Sequence, residues 1–174
     1  MTLTLESINA MSDEVFVATL GGVVEHSPWV AEQIVGRRPF ESVLALHGAM
    51  MERVSAASRE AQVRLACAHP ELAGREATAG TLTADSNSEQ ARLGLLTLSQ
   101  QDHARLTSLN QSYRHRFGIP FITAVRLHRD LASVFDSLER RLENEPDAEL
   151  REAMAQIAEI VSGRLAKLFD TALG

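Results

Sequence analysis

Residues 147–171 have the sequence DAELREAMAQIAEIVSGRLAKLFDT, in which apolar side chains recur every three or four residues. The series consists of Leu150, Met154, Ile157, Val161 and Leu168. Because an α-helix turns once in about 3.6 residues, this spacing places all of these side chains on one face. The stretch therefore predicts a long helix, from about Asp147 to Thr171, with one buried face.

Arg164 occupies a position within the same apolar series, so we expect its guanidinium to point toward the interior. A buried guanidinium is costly unless an anion accompanies it. One hypothesis is an ion pair with a carboxylate of the protein. The other is a bidentate clamp for a carboxylate or ureido group of a substrate. The periodicity does not distinguish the two.

The helical period continues through most of the chain, while alternating runs of β-branched residues are nearly absent. Ser12, Ser42 and Ser58 are predicted N-caps, and Pro28 lies just inside a helix start. The predicted helices span residues 12–22, 27–35, 42–54, 58–68, 86–117 with a break near Ser99, 130–142 and 147–171. The predicted fold is therefore all-α, a compact single domain over residues 1–174 with about seven to nine helices.

Two segments depart from the helical period. Residues 71–85 contain Gly74, Gly80, Asp85 and several threonines, which predicts a long surface loop of the kind that often bears function. Residues 119–125, IPFITAV, are rich in β-branched and aromatic side chains and are predicted to be extended.

The chain of 174 residues carries a formal net charge of −6, which opposes attraction to phosphate groups. We therefore expect neither a nucleic acid nor a membrane as a partner. The sequence contains no basic stretch followed by an apolar run at its start, and no segment of about 18 apolar residues. Cys67 is the only cysteine, which excludes an internal disulfide and a thiolate metal site. These features predict a soluble, cytoplasmic protein.

Histidines that bind metals usually pair with another histidine or a carboxylate three or four residues away on one helix face. No HxxxH or ExxH spacing occurs among His26, His47, His103, His115 and His128. We therefore predict no metal site.

His69 has a different position, because it precedes Pro70 and leaves a predicted helix for a loop that contains glycine. An imidazole in such a place can face a cleft. The alternative is a histidine with a purely structural role.

Glu89 ends the sequence Ser-Asn-Ser-Glu, which has the spacing of a capping box with Ser86 as the N-cap. On spacing alone, Glu89 is therefore predicted to cap a helix. A helix N-terminus also favours anionic ligand groups, so Ser86 and Gln90 are candidates for contact with a substrate.

Six segments occur in a characteristic order: GGVVEHSPWVAE (21–32), RPF (38–40), HPELAGR (69–75), SNSEQ (86–90), FGIPFITAVR (117–126) and Arg164-Leu165. Together they resemble the 2-oxo-4-hydroxy-4-carboxy-5-ureidoimidazoline (OHCU) decarboxylases, the enzymes that complete the oxidation of urate to S-allantoin. The resemblance covers nearly the whole chain. It implies an all-helical fold, a homodimer and a small-molecule ureidoimidazoline substrate.

The resemblance also implies the site residues. His69 matches the catalytic proton donor of the family, and Glu89 matches its essential partner. The substrate-binding positions of the family match Pro70, Ser86, Gln90, Phe121, Ile122, Thr123, Ala124, Val125 and Arg164. The family's substrate contains a C=N bond beside the carbon that loses carbon dioxide, so the resemblance implies that no metal or organic cofactor is needed.

One stretch departs from the family pattern. Leu127-His128-Arg129-Asp130 follows FITAVR, where the family usually continues with Gly, Lys and Ser. The loop that closes over substrate in the family is therefore expected to differ here. Two alternatives to OHCU decarboxylation are a non-catalytic helical ligand-binding domain and a lyase or hydrolase that acts on a related ureide.

Overall fold

The computed structural model describes residues 3–171 and confirms the all-α prediction: within this range there are ten α-helices, two 3-10 turns and no β-strand. The helices are α1 (Leu5–Ala10), α2 (Asp13–Leu20), α3 (Trp29–Ile34), α4 (Val43–Ala56), α5 (Arg59–Cys67), α6 (Arg75–Ala79), α7 (Ala84–Arg92), α8 (Gln100–Phe117), α9 (Leu131–Leu142) and α10 (Pro146–Phe169). The 3-10 turns span Val35–Arg37 and Val125–Leu127. The number of helices exceeds the predicted seven to nine because α1 and α6 have only six and five residues, too few for an apolar period.

Serine caps set the starts of four helices. The Oγ atoms of Ser12, Ser42, Ser58 and Ser99 each accept the backbone N–H three residues further on, at 3.0 to 3.4 Å. Such a cap satisfies one of the N–H groups that have no acceptor within the helix, and it contributes about 1 kcal/mol. The predicted starts of α2, α4 and α5, and the predicted break before α8, are confirmed.

One of the two segments that depart from the helical period differs from the prediction. Residues 71–85 contain α6 and the first residues of α7 instead of a continuous surface loop, and Leu72 and Ala73 are buried. Residues 119–125 are buried and form no strand, and Ala124, before the second 3-10 turn, has the extended backbone (φ −74°, ψ 96°) that was predicted for the segment. A buried segment without a neighbouring strand still needs hydrogen-bond partners for its backbone N–H and C=O groups. In this segment, side chains from other elements provide such partners.

The described chain forms two compact units. The first comprises residues 3–68 and 157–171, and in it α3 contacts both α2 and α4. Its largest fully buried side chains are Ile8, Phe16, Leu20, Ile34, Leu46, Met50 and Leu65. Burial of a side chain of this size contributes about 1.5 to 3 kcal/mol, so this apolar core is the main source of the unit's stability.

The second unit comprises residues 69–156, and in it α8 contacts α9 and α7 contacts the second 3-10 turn. Its core contains apolar side chains together with a buried arginine and a buried glutamate: Leu95, Leu106, Tyr113, Phe121, Val134, Leu138, Arg141 and Glu149. Among residues 3–171, no helix has the length and hydropathy required to cross a bilayer.

Candidate active site

His69 lies where the sequence predicts it, at the exit of a helix. α5 ends at Cys67, Ala68 forms its C-cap, and Pro70 follows the histidine. Because a proline disfavours helical conformation in the residue before it, the chain leaves α5 at this point. His69 is only 6% exposed. It is therefore a buried histidine on a non-helical segment of the second unit.

The turn at residues 71–73, close after His69, is held by two helices. The N–H of Ala73 donates to Oε1 of Gln90 on α7 at 2.8 Å. Nδ2 of Asn110 on α8 donates to the carbonyl of Leu72 at 3.1 Å. Ala73 has a φ of 48°, a left-handed conformation that is unusual for a residue other than glycine. The bonds from α7 and α8 stabilise this conformation and thereby define the path of the chain after His69.

The N-terminus of α7 differs from the predicted capping box. The N-cap is Thr83, whose side chain accepts the N–H of Ser86 at 3.3 Å, so the helix begins before Ser86. Ser86 is the third helical residue and Glu89 lies in the second turn, beyond the reach of the N-terminal amides. The prediction of Ser86 as N-cap and Glu89 as capping partner is therefore wrong, because an equally good cap stands three residues earlier. Glu89 is therefore not part of the N-terminal cap of α7.

α7 also connects the two predicted substrate-binding segments of this unit. Gln90 holds the turn after His69, while Nη1 of Arg92 donates to the carbonyl of Val125 at 3.0 Å. At about 100° per residue, the order around the helix axis is Arg92, Glu89, Ser86 and Gln90, with about 60°, 60° and 40° between neighbours. Glu89 and Ser86 therefore lie on the helix face between the two connecting residues. Ser86 and Gln90 are buried, and Glu89 is half-buried.

The segment at residues 121–125 is held by side chains from α9 and α10. Nη1 of Arg141 donates to the carbonyl of Ile122 at 2.7 Å. The N–H of Ala124 donates to Oε1 of Gln156 at 2.9 Å. Arg92 of α7 binds the carbonyl of Val125, the last residue of the segment. These side-chain contacts take the place of the backbone hydrogen bonds that a neighbouring β-strand would make. The irregular conformation is thus specified by distant residues.

His128 lies in the stretch 127–130 that departs from the family pattern, and it binds the same segment. Its Nε2 is 2.7 Å from Oγ1 of Thr123, and its Nδ1 is 3.3 Å from Oγ of Ser133. Burial lowers the pKa of His128 below its usual value. Asp130 caps α9 by accepting the N–H of Ser133 at 2.9 Å. The atypical stretch therefore has a structural role, which joins residues 121–125 to the start of α9.

A buried ion pair anchors this part of the second unit. Arg141 and Glu149 have side chains that are 1% and 0% exposed, and Nε and Nη2 of Arg141 lie 2.8 and 2.6 Å from Oε1 of Glu149. The hydroxyl of Tyr113 donates to the same oxygen, and Asn144 donates to Oε2 at 2.7 Å. The guanidinium lies 4.7 Å from the centroid of the Phe121 ring. Burial raises the pKa of the Tyr113 phenol, so it remains a hydrogen-bond donor.

Arg141 and Glu149 were not predicted from the sequence, although Arg141 has a sequence signal. Arg141 follows Val134 and Leu138 in the apolar series of α9, just as Arg164 does in that of α10. The apolar spacing that predicts an inward direction for Arg164 therefore predicts the same direction for Arg141. No comparable signal predicted Gln156, because it bonds to a segment that is remote in sequence.

Arg164 belongs to the first unit and is buried, as its position in the apolar series predicts. Its Nη1 lies 2.7 Å from Oε2 of Glu25 and 3.3 Å from the carbonyl of Val23. A Cβ at Gly21 would lie 2.6 Å from a backbone oxygen of α2, so only glycine allows the close turn that leads to Glu25. The first hypothesis, an ion pair with a protein carboxylate, is the arrangement observed. The role of Arg164 toward a substrate stays a prediction.

The remaining histidines occupy varied environments. Nε2 of His47 is 2.9 Å from the carbonyl of Ala158, and His26, His103 and His115 are exposed. In the part of the chain that is described, no three His, Cys, Asp or Glu side chains are grouped so that they could hold a metal ion.

The second unit thus contains all but one of the predicted site residues. α7 carries Ser86, Glu89 and Gln90, and it is bonded both to the turn after His69 and Pro70 and to residues 121–125. Arg164 is the exception, since it lies in the first unit with Glu25 as its partner. The arrangement in the second unit offers an imidazole and a carboxylate for proton transfer.

Relatives of known sequence and structure resemble this chain over most of its length. The 2-oxo-4-hydroxy-4-carboxy-5-ureidoimidazoline decarboxylase of Haloferax volcanii is 39% identical over 169 residues, which cover 97% of this chain and 98% of the relative. A crystal structure of (S)-allantoin synthase superimposes with a TM-score of 0.77 at 28% identity and covers 97% of this chain, which spans 55% of that chain.

A second solved structure, OHCU decarboxylase in the presence of (S)-allantoin, has a TM-score of 0.67 and 25% identity, with 92% of this chain and 99% of that chain covered. Both structural similarities agree with the all-α architecture. The family model of OHCU decarboxylases matches residues 9–166, a range that includes every predicted site residue. On these findings, the chain belongs to the OHCU decarboxylase family.

Proposed function

We propose that this chain decarboxylates 2-oxo-4-hydroxy-4-carboxy-5-ureidoimidazoline to S-allantoin, the third step of urate degradation, as a single domain over residues 1–174. Membership of the OHCU decarboxylase family carries the proposal. The same matches do not favour the alternatives, a non-catalytic ligand-binding domain or an enzyme for a related ureide.

The proposed substrate supplies its own electron sink. The bond from the ring carbon to the carboxylate breaks, and its electron pair forms a C=C bond with the adjacent carbon that carries the ureido group. The electrons of the C=N bond move to the ring nitrogen, which takes up a proton. Carbon dioxide departs, and the molecule that remains is an enol. The protein then has to orient, desolvate and protonate this molecule. We therefore propose that no metal or organic cofactor takes part.

His69 is proposed to donate a proton to the carbon that carries the ureido group. An imidazole suits this task because its ordinary pKa is about 6.5. The burial of His69 supports the role, since a proton donor shielded from water favours transfer from one face. Delivery from one face would produce one enantiomer.

Glu89 is proposed to accept the hydroxyl proton as the enol becomes a ketone. The position of Glu89 in the second turn of α7 supports this role, because Thr83 performs the capping that would otherwise occupy a carboxylate near the helix start. The enol proton lost to Glu89 balances the proton gained from His69 at the ureido-bearing carbon. Exchange with water then restores both side chains.

The substrate groups are proposed to be held by the predicted binding residues: Pro70, Ser86, Gln90, Phe121, Ile122, Thr123, Ala124, Val125 and Arg164. Support comes from the tight fixation of residues 121–125 and of the turn after His69. A preorganised site of this kind lowers the entropic cost of reaching the reactive geometry. We further propose that the protein is a cytoplasmic homodimer, which light scattering on the purified protein would test.

The decisive experiment follows product handedness by time-resolved circular dichroism. Urate oxidase and hydroxyisourate hydrolase generate the substrate, and wild type is compared with His69→Asn at equal folded concentration and in the presence of a chelator. Uncatalysed decay can be protonated from either face and yields racemic allantoin. Wild type should accelerate the reaction and yield one enantiomer, whereas His69→Asn should do neither. No acceleration by wild type would overturn the proposed function.

A further inference from the structure

A pocket of about 580 Å³ lies in the first unit, lined by residues between His26 and Ala68. Its walls come from α3, α4, α5 and the turn before α3. This volume falls in the range of sites for small organic molecules. None of the predicted active-site residues lines it. The decarboxylation proposed above therefore leaves this pocket without a role.

The pocket has a one-sided charge. Arg53 and Arg64 line it together with His26, while no aspartate or glutamate occurs among its described lining residues. The chain as a whole carries a net charge of −6, so a cationic pocket runs against the general composition. The positive electrostatic potential of the two arginines attracts anions to the pocket.

Arg53 is incompletely neutralised by the protein. Its Nη2 is 3.3 Å from Oε1 of Glu52, but Oε2 of Glu52 is bound at 2.7 Å by Arg37. The Nε atom of Arg53 is buried and has no hydrogen-bond acceptor among the described residues. A buried N–H without an acceptor is costly, and a rotation of the Arg53 side chain onto an anion in the pocket would relieve that cost.

The rest of the lining is apolar or neutral. Trp29 and Leu65 are the largest apolar side chains of the lining, and Ala57 and Ala61 are small ones. An indole provides a flat face against which a planar ring can pack. An inorganic phosphate would fill only a small part of this volume. The combination of cationic and flat apolar surfaces suits an organic anion.

We propose that this pocket binds a small organic anion, with its carboxylate groups at Arg53 and Arg64 and its planar ring against Trp29 and the neighbouring apolar side chains. None of the residues of the proposed active site lines the pocket, so we propose it as an additional binding site of the chain.

The chain provides its own reporter, because Trp29 is the only tryptophan. The probes are isophthalate, a planar dianion, isophthalamide, its neutral counterpart of similar shape, and inorganic phosphate. Isophthalate should change the emission of Trp29 in a saturable way, while isophthalamide should bind at least tenfold more weakly and phosphate should compete poorly. No saturable change with isophthalate up to about 10 mM, or equal binding of isophthalamide, overturns the proposal.

Variants locate the binding. Arg53→Gln and Arg64→Gln should each raise the Kd of isophthalate about tenfold or more, because each removes a charge-assisted hydrogen bond. Arg151→Gln, an exposed position on α10, is the matched control and should leave the Kd unchanged. Arg64 is exposed, so its variant is expected to fold, and Arg53→Met, which also removes the charge, replaces Arg53→Gln if that variant unfolds. Unchanged affinity in Arg64→Gln and in a folded Arg53 variant would contradict the assignment.

A further variant separates this site from the proposed catalysis. Glu89→Gln should leave the isophthalate titration of Trp29 unaltered whatever it does to turnover. If Glu89→Gln abolishes the emission change, the anion binds at the predicted active site and the additional site is refuted. Failure of decarboxylation in wild type, by contrast, would leave the titration result intact.

Discussion

Arg141 and Arg164 are both buried arginines with a buried glutamate as partner, Glu149 in the second unit and Glu25 in the first. Arg141 uses all three of its guanidinium nitrogens: Nε and Nη2 bind Glu149, and Nη1 binds the carbonyl of Ile122. Nη1 of Arg164 lies 2.7 Å from Oε2 of Glu25 and 3.3 Å from the carbonyl of Val23. The two sites show that an inward arginine in an apolar series is accompanied by a buried carboxylate of the protein.

The pairs also differ in what they join. Glu149 lies eight residues after Arg141, and the pair joins the end of α9 to the start of α10 and to residues 121–125. Arg164 reaches a carbonyl 141 residues earlier in the chain, in the turn after α2. The first pair shapes a proposed substrate-binding segment, whereas the second connects chain segments near opposite ends. Variants at both sites can test whether this difference is real.

Arg141→Met should have the largest effect. It leaves the buried carboxylate of Glu149 without its cation and removes the donor to Ile122, so we expect a loss of about 3 to 5 kcal/mol in the free energy of unfolding. Urea denaturation measures this loss, and Arg140→Met, at the exposed neighbouring position, is the control. A loss below about 1 kcal/mol would show that the pair does not anchor the second unit.

Arg164→Met should cost about 3 kcal/mol, because it leaves the buried carboxylate of Glu25 without the cation that lies 2.7 Å away. Replacing Glu25 by Leu in the Arg164→Met background should restore much of the stability, since no buried charge then remains. Melting curves measure both. A binding isotherm with allantoin tests the second hypothesis for Arg164, and weaker binding without loss of stability would favour a substrate clamp over the ion pair.

Glu89→Gln separates a catalytic carboxylate from the two structural ones. We expect turnover to fall about a hundredfold, equivalent to about 2.7 kcal/mol, with little change in stability because Glu89 does not cap α7. Steady-state rates on freshly generated substrate and a melting curve give the two values. If turnover stays near normal while stability falls, Glu89 has a structural role like that of Glu149.

Thr83→Ala should show the opposite pattern, with a loss of about 1 kcal/mol in stability and a near-normal rate. Thr83 is the N-cap of α7, whereas Ser86 is the third helical residue. Ser86→Ala therefore serves as the paired variant, and it should lower the rate more than the stability. Steady-state rates and melting curves again give the two values. A larger loss of stability in Ser86→Ala than in Thr83→Ala would indicate that Ser86 is the N-cap.

His128 should give the smallest effect, a shallow pH dependence of stability. Burial lowers its pKa in the folded protein, so the unfolded chain binds the proton more tightly. The contribution of His128 is therefore complete above its unfolded pKa of about 6.5 and declines as the pH falls from there toward the folded pKa. Urea midpoints at several pH values measure this slope, and His128→Gln should flatten it. An unchanged slope would mean that another group is responsible.

Most of the fold was predictable because its determinants are local. The start of each of α2, α4 and α5 depends on one serine and the residues that follow it within a turn. The apolar period of α10 also repeats within a few residues. The short helices α1 and α6 were missed because five or six residues cannot display such a period.

The start of α7 shows the limit of local signals. Thr83 and Ser86 both have the chemistry of an N-cap, and the sequence favoured Ser86 because Glu89 completes its box. In the folded chain, Ser86 and Gln90 are buried, and the side chain of Gln90 bonds to the turn at residues 71–73. We attribute the earlier helix start to this tertiary packing, which requires Ser86 to be within the helix.

The sequence by itself determined the all-α class, most helix boundaries, the inward direction of Arg164 and the exit of the chain from α5 at His69. Each of these depends on residues within a few positions of one another, where backbone geometry and capping dominate. Only the tertiary structure decided which carboxylate meets each buried arginine and which side chains hold residues 121–125. Those choices depend on the desolvation of charges and backbone groups by remote segments, a cost that no local pattern records.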